Sequence, residues 1–194
     1  MSVFISSDQH FGHRRILEYC HRPFANVTEM DEAMISNWNR VVRPEDDIHV
    51  VGDFAFCCTM DYALSVIKRL NGTKHLVVGN HDQLALGMND IRPGTWKTIK
   101  DISEINIQGQ RIVLCHYPIA EGHWHHAYKG VWMLFGHVHG TFQNKGKSLD
   151  IGVDCWDYTP VSFQDLKKKM DNISNPFIIP KNKQWDKSEN EVTK

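Results

Sequence analysis

Leu76-Val77-Val78-Gly79-Asn80-His81-Asp82 is a short apolar run that stops at a glycine and turns at once into carboxamide, imidazole and carboxylate. Such a run reads as a buried strand whose carboxyl end opens into a polar loop. The same pattern recurs on both sides of it. Val3-Phe4-Ile5 leads to Asp8-Gln9-His10, and Ile48-His49-Val50-Val51 leads to Gly52-Asp53. Further on, Ile112-Val113-Leu114-Cys115 leads to His116, and Val131-Trp132-Met133-Leu134-Phe135 leads to Gly136-His137-Val138-His139. Open α/β sheets place their ligands just beyond the carboxyl ends of their strands. Five such ends predict that side chains from distant parts of the chain meet on one rim.

The intervening segments fit that plan. Strands are expected over 3–7, 48–52, 75–79, 112–116, 131–136 and 149–153, with another near 100–107, and Gln108-Gly109-Gln110 reads as a hairpin turn. Thr28 with Asp31 resembles a capping box ahead of Met30, Ala33, Met34 and Trp38 at helical spacing. A second helix from Tyr62 to Leu70 carries Ala63, Leu64, Ile67 and Leu70 on one face and stops at Asn71-Gly72. Ser162 with Asp165 caps a last helix, whose Lys167-Lys168-Lys169 run is a solvated face. The fold class is α/β, as a mixed sheet or two packed sheets flanked by helices. One domain is expected over 1–180, followed by a loose polar tail over 181–194.

Composition narrows the partners. A chain of 194 residues suits one domain, and 41% hydrophobic with 23% charged residues is ordinary for a globular protein. A formal net charge of -1 supplies no global positive field, which weakens nucleic acid as a partner and leaves only a local basic patch to hold one. No apolar run approaches a membrane span, and Met1-Ser2-Val3 leads straight into a strand, so no membrane partner and a cytoplasmic location are expected. The five cysteines (Cys20, Cys57, Cys58, Cys115 and Cys155) are odd in number and hold no C-x-x-C pair. Neither a disulfide framework nor a zinc knuckle is indicated, and Cys57-Cys58 is expected to be a reduced, half-buried pair. Nothing in the sequence bears on oligomeric state. Twelve histidines stand out, five of them inside the strand-end patches.

Imidazoles, carboxylates and one carboxamide on a common rim are the donors of a two-metal hydrolytic site, in which the ions lie ~3.5–4 Å apart. Such a site needs a bridge, and a carboxylate with two oxygens is the natural one; Asp53 is the candidate. Asp8 and His10 lie two apart, so on an extended segment both would point the same way and chelate one ion. His137 and His139 share that spacing, and Gly136 and Gly140 would let the backbone turn closely around the metals. Asn80 offers an oxygen to a metal and an amide to a phosphate oxygen. His81, beside it, is left to act as general acid toward the leaving oxygen or to hold the phosphate as a cation. Asp82 would steady that imidazole or cap the next helix.

Together, Asp8-x-His10, Gly52-Asp53, Gly79-Asn80-His81-Asp82, His116 and Gly136-His137-x-His139 resemble the signature of the calcineurin-like metallophosphoesterase superfamily, over the span from Asp8 to His139. The flanking His10-Phe11-Gly12-His13, His21-Arg22-Pro23-Phe24, Asn37-Trp38-Asn39 and Gly152-Val153-Asp154 resemble a compact branch of bacteria and phages known mostly as predicted phosphoesterases. The resemblance implies a two-sheet α/β sandwich with a dinuclear centre at its rim. Asp8, His10 and His139 would bind one metal, Asn80, His116 and His137 the other, and Asp53 would bridge. His81 matches the catalytic histidine. Every position of the ligand set is filled.

The implied activity is hydrolysis of a phosphodiester or nucleotide-like phosphate ester by a hydroxide that the metals activate, with His81 assisting departure of the alcohol. The alternatives are a phosphomonoesterase or protein phosphatase, and a non-catalytic binding module on the same fold. Protein phosphatases of the superfamily carry Arg-Gly-Asn-His-Glu where this chain has Val78-Gly79-Asn80-His81-Asp82, and its nucleases carry a capping domain for which no residues remain. A binding module would be favoured by loss of the bridge or of His81, and both are present. Mn²⁺ is the ion expected to support activity in vitro, with Fe, Zn²⁺ and Ni²⁺ as alternatives, since availability as well as ligand type decides loading.

Outside this set, His13 and Arg14 are placed equally at the substrate or at solvent and Arg15 on a solvent face, while contact of Arg22 with the substrate is the lesser of its two readings. His123, Trp124, His125 and His126 would stack a nucleobase or pack a loop edge. Asp154, Trp156 and Tyr158 would wall the pocket.

Overall fold

In the computed structural model, which describes residues 1–178, each strand-end patch follows a strand. The chain opens with β1 (Val3–Ser6), a one-turn helix α1 (Ile16–Tyr19), and α2 (Val27–Val41). Then come β2 (Asp47–Val51), α3 (Met60–Arg69), β3 (Thr73–Val77), α4 (Gln83–Ile91) and β4 (Thr98–Lys100). The strand-rich second half holds β5 (Ile102–Ile107), β6 (Gln110–Cys115), β7 (Trp132–Phe135), β8 (Ser148–Asp150) and β9 (Val161–Ser162), and ends in α5 (Phe163–Asp171). The tail expected over 181–194 lies outside the described residues, as do the last two positions of the 1–180 domain.

The strands form two mixed sheets rather than one. The first has the order β4-β3-β2-β1-β9, parallel except for β9, and the second the order β5-β6-β7-β8, with only β5 and β6 antiparallel. Side chains alternate across each strand, which decides what each face packs against. Ile5, Val51 and Val77 of the first sheet meet Ile112, Leu114 and Leu134 of the second in one buried cluster, joined by Phe163, Leu166 and Met170 of α5. The opposite face of the first sheet, with Phe4, Ile48, Val50 and Leu76, packs on Met30, Met34 and Trp38 of α2 and on Ala63, Val66 and Ile67 of α3. Strands covered on both faces need no polar alternation, which is why they read as continuous apolar runs.

Two helix starts differ from the expectation. The N-cap of α2 is Asn26, whose Oδ1 accepts the Glu29 N–H at 2.9 Å; Thr28 and Asp31 already lie inside the helix. Asp31 is buried and serves tertiary contacts instead, accepting from the Gly12 N–H at 2.9 Å and the Tyr62 hydroxyl at 2.6 Å. α3 begins two residues early, capped by Thr59. The Ser162–Asp165 cap forms as expected, and Gln108 and Gly109 both have positive φ (51° and 87°), the pattern of a two-residue type I′ hairpin. Among the described residues, no helix is long and apolar enough to cross a membrane.

Candidate metal centre

The loops after β1, β2, β3, β6 and β7 converge on one cleft of about 590 Å³. His10, Asp53, Asn80, His81, His137 and His139 line it, and Asp8 and His116 lie fully buried beneath. Asp53 Oδ2 stands between two imidazoles, 3.4 Å from His10 Nε2 and 3.5 Å from His116 Nε2. On one side, Asp8, His10 and His139 bring ligand atoms within 4.8 Å of one another, and the His10 and His139 rings stack at 5.3 Å. On the other, His116 Nε2 is 3.0 Å from Asn80 Oδ1, and the His137 ring is 5.2 Å from that of His116.

The two-residue spacing does not produce this sorting. Asp8, His10, His137 and His139 are not extended; their φ angles are 59°, 54°, 71° and 47°. Non-glycine residues in the left-handed region cost on the order of 1–3 kcal/mol each and persist only where the surroundings over-determine them. The tethers that do so are visible. The N–H groups of Asp8 and His10 donate to the Gly52 and Asp53 carbonyls at 3.0 and 2.9 Å, and the His137 N–H donates to both Asp8 carboxylate oxygens at 3.0 and 3.1 Å. Gly52, at φ 89°, lets the loops approach: a Cβ there would stand 2.6 Å from His116 Cγ and 2.8 Å from Gly79 Cα.

Asp82 corrects a sequence expectation. It neither steadies His81 nor caps α4 with its side chain. Buried at the base of the site, its carboxylate accepts the N–H groups of Asp53 at 2.9 Å, Phe54 at 2.9 Å and Gly79 at 2.7 Å, and so pins two of the loops together.

Charge in the cleft is set by burial and by neighbours. Burial pushes the Asp8 carboxyl up to about 6 and holds His10 well below its ordinary value. Burial also opposes ionisation of Asp53, but the hydrogen bond and charge of His116, the charge of His10 and the His81 N–H bring it down to about 2. At His139 burial is outweighed by hydrogen bonds to Asp154 and Cys20 and by the Asp8 carboxylate, which raise the ring to about 10. Negative charge on Asp53 is thus held amid imidazoles, as a cation site requires.

The donors present fit divalent metal ions. Both ring nitrogens of His10 are buried, and among the described residues neither has a hydrogen-bond partner. Buried polar atoms are rarely left so, and a bound ion, a water or a catalytic role accounts for such exceptions; beside Asp8, Asp53 and His139, an ion fits the donors. His116 Nδ1 is 2.9 Å from the Val51 carbonyl and His139 Nδ1 is 2.7 Å from Asp154 Oδ2. In the neutral ring, a hydrogen held on Nδ1 leaves Nε2 as the atom for a metal, so a cation bound here would take the place of the Nε2 proton.

The remaining expectations divide. His13 lines the cleft, its ring edge-on to Phe56 at 5.0 Å. Arg14 points into a separate groove with Leu17 and Glu18. Arg15 is exposed but borders the cleft rather than open solvent alone, with its guanidinium 4.8 Å above the Tyr19 ring. Arg22 does not reach the cleft: its side chain is fully buried below the floor, bonded to Asp154. Asp154 sits behind His139 rather than walling the pocket, Trp156 lines a different pocket, and Tyr158 packs against Phe24. Trp124 is buried; His125 bonds Glu104, His126 bonds Arg111 and His123 bonds the Ala120 carbonyl, so this cluster packs a loop edge away from the cleft. Phe56, whose ring lies 4.1 Å from that of His81, and Tyr19, Cys20 and Cys57 were not foreseen. The apolar Phe54-Ala55-Phe56 run just past Asp53 was the signal for Phe56. Cys57 is exposed, so the cysteine pair is not half-buried as a unit.

No protein-family model matches the chain. An uncharacterized protein of Methanocaldococcus jannaschii, MJ1445, is 31% identical over 174 residues, covering 86% of this chain and 89% of that one. This chain belongs to its family. The gene 66 protein of Mycobacterium phage L5 is 24% identical over 183 residues, covering 80% of this chain and 87% of the phage protein. The crystal structure of AQ665, a protein of unknown function from Aquifex aeolicus, superposes with a TM-score of 0.67 at 25% identity, over 87% of this chain and 98% of that one. The two mixed sheets, with the motif residues on the loops at their rim, are the α/β arrangement that the sequence resemblance implied.

Proposed function

We propose that the chain is a metal-dependent phosphoesterase acting on a small phosphodiester or nucleotide-like phosphate ester. The observation that carries this reading is His10, whose buried ring has two nitrogens without a hydrogen-bond partner among the described residues, beside Asp8, Asp53 and His139. Asp8, His10 and His139 would hold one divalent cation, Asn80, His116 and His137 a second, and Asp53 both. Bound there, the ions would supply Lewis acidity and positive charge to a phosphoryl group.

The chain's own groups do the rest. Asn80 presents its Oδ1 toward His116 Nε2 and keeps its amide N–H groups for a phosphate oxygen. His81 lines the cleft with its ring against Phe56, and its backbone N–H is fixed to Asp53 Oδ1 at 2.8 Å. A ring nitrogen so placed would donate a proton to the departing alcohol oxygen. Ile16, Tyr19, Phe56 and Val138 give the cleft an apolar wall for the esterified group, and Arg15 adds a positive charge at its edge.

Hydrolysis of bis-p-nitrophenyl phosphate by metal-stripped protein with Mn²⁺ restored tests this. Turnover should require the ion, and His81→Ala should lower kcat by about 10²- to 10⁴-fold while Mn²⁺ uptake stays unchanged. Stoichiometric metal uptake with no turnover for Mn²⁺, Fe²⁺, Zn²⁺ or Ni²⁺ would overturn the diesterase reading.

A further inference from the structure

Arg22 and Asp154 are 132 residues apart in sequence and form an ion pair beneath the cleft, their side chains 0% and 8% exposed. The guanidinium donates from Nε to Asp154 Oδ1 at 2.8 Å and from Nη2 to Oδ2 at 2.9 Å. Its remaining N–H groups donate to the backbone carbonyls of Gln9 at 2.9 Å and Asp8 at 2.7 Å and to Met30 Sδ at 3.5 Å. Asp154 Oδ2 also takes the His139 Nδ1 hydrogen at 2.7 Å. One buried cation therefore ties the Asp8–His10 loop to the residue that orients His139.

We infer that Asp154, locked by Arg22, is the positioning residue that fixes the ring orientation and tautomer of His139 for metal binding. The inference rests on the metal-centre reading above. A buried ion pair is weak evidence for stability alone, because desolvation offsets much of its attraction. A buried pair that also holds the far nitrogen of a candidate ligand matches the arrangement by which outer partners set ligand basicity and geometry. Cys20, His139 and Asp154 also lie within 4.8 Å of one another. A cation among those three would meet the Arg22 charge at both Asp154 oxygens, so Asp154 serves as hydrogen-bond acceptor and not as ligand.

The test is Co²⁺ uptake by the metal-stripped full chain, read by equilibrium dialysis and visible absorption. In Asp154→Asn the new amide must face Arg22 or His139, a donor against a donor. Uptake of one of the two ions should weaken about ten- to hundred-fold, with a changed absorption band, while far-UV circular dichroism of the metal-free protein stays that of wild type. The double variant Arg22→Met/Asp154→Leu replaces the pair with apolar volume and leaves the His139 Nδ1 hydrogen without its acceptor; it should show the same loss. Wild-type affinity and spectrum in either folded variant would overturn the inference. Failure of both variants to fold would also overturn it, by making the pair a stability element. If wild type itself takes up no Co²⁺, the metal-centre reading fails instead.

Discussion

At Asp82 a single carboxylate holds three backbone N–H groups from the loops after β2 and β3. Asp82→Ala strands three buried donors, each at about 1–3 kcal/mol, so urea denaturation of the metal-free protein should show a loss of at least ~3 kcal/mol. A loss well under 1 kcal/mol would mean the loops hold together by other means. His49 gives a residue-scale prediction far from the cleft. Burial, then the charge of the stacked His75 at 4.7 Å, lowers it to about 4, with Asp47 opposing. A histidine depressed in the folded state adds stability that is complete above its unfolded value near 6.5 and drains away as pH falls toward 4. The amount at stake is about 3 kcal/mol at most. Between pH 7.5 and 4.5 the urea midpoint of wild type should therefore fall more steeply than that of His49→Leu. Parallel profiles would remove His49 from the acid response.

At the scale of elements, the strand ends were readable because burial on both faces makes a strand a run of apolar residues, and the run must stop where the rim begins. The helix starts were less readable. Thr28 and Asp31 fit a capping box by spacing, but Asn26 and Glu29 fit it as well, and the tertiary demand of Gly12 and Tyr62 for the Asp31 carboxylate decided between them. The left-handed backbone at Asp8, His10, His137 and His139 had no signal at all, since nothing in an Asp or His letter announces positive φ. Nor could a local reading pair Arg22 with Asp154. Gly52 belongs with these: the sequence reading singled out Gly136 and Gly140, and the need for a glycine at 52 shows only in the structure. Gly52→Ala would drive a methyl into His116 and the Gly79 backbone at positive φ. Thermal unfolding should shift down by several degrees, and Mn²⁺ uptake should weaken with it. Wild-type values for both would show that the two loops can separate without harm.

Across the whole molecule, two sheets meet on a core to which both contribute, and the candidate residues gather at the rim of that sandwich. The rim's residues arrive from five loops between positions 8 and 139, so no single segment can hold the centre by itself. A site of this kind exists only in the folded chain and should bind metal as a unit. That the chain is α/β, and which residues gather, was legible from spacing and order. The Arg22–Asp154 tie beneath the floor and the Asp82 clamp were not, because both depend on partners chosen by the fold. The central claim is that seven side chains hold two cations around Asp53. The most direct measurement is a Mn²⁺ titration of metal-stripped protein, followed by both calorimetry and bis-p-nitrophenyl phosphate turnover, in wild type and Asp53→Asn. The account predicts a break in both signals at two equivalents per chain and loss of that break in the variant. Saturation at one equivalent, or turnover that survives in Asp53→Asn, would contradict it.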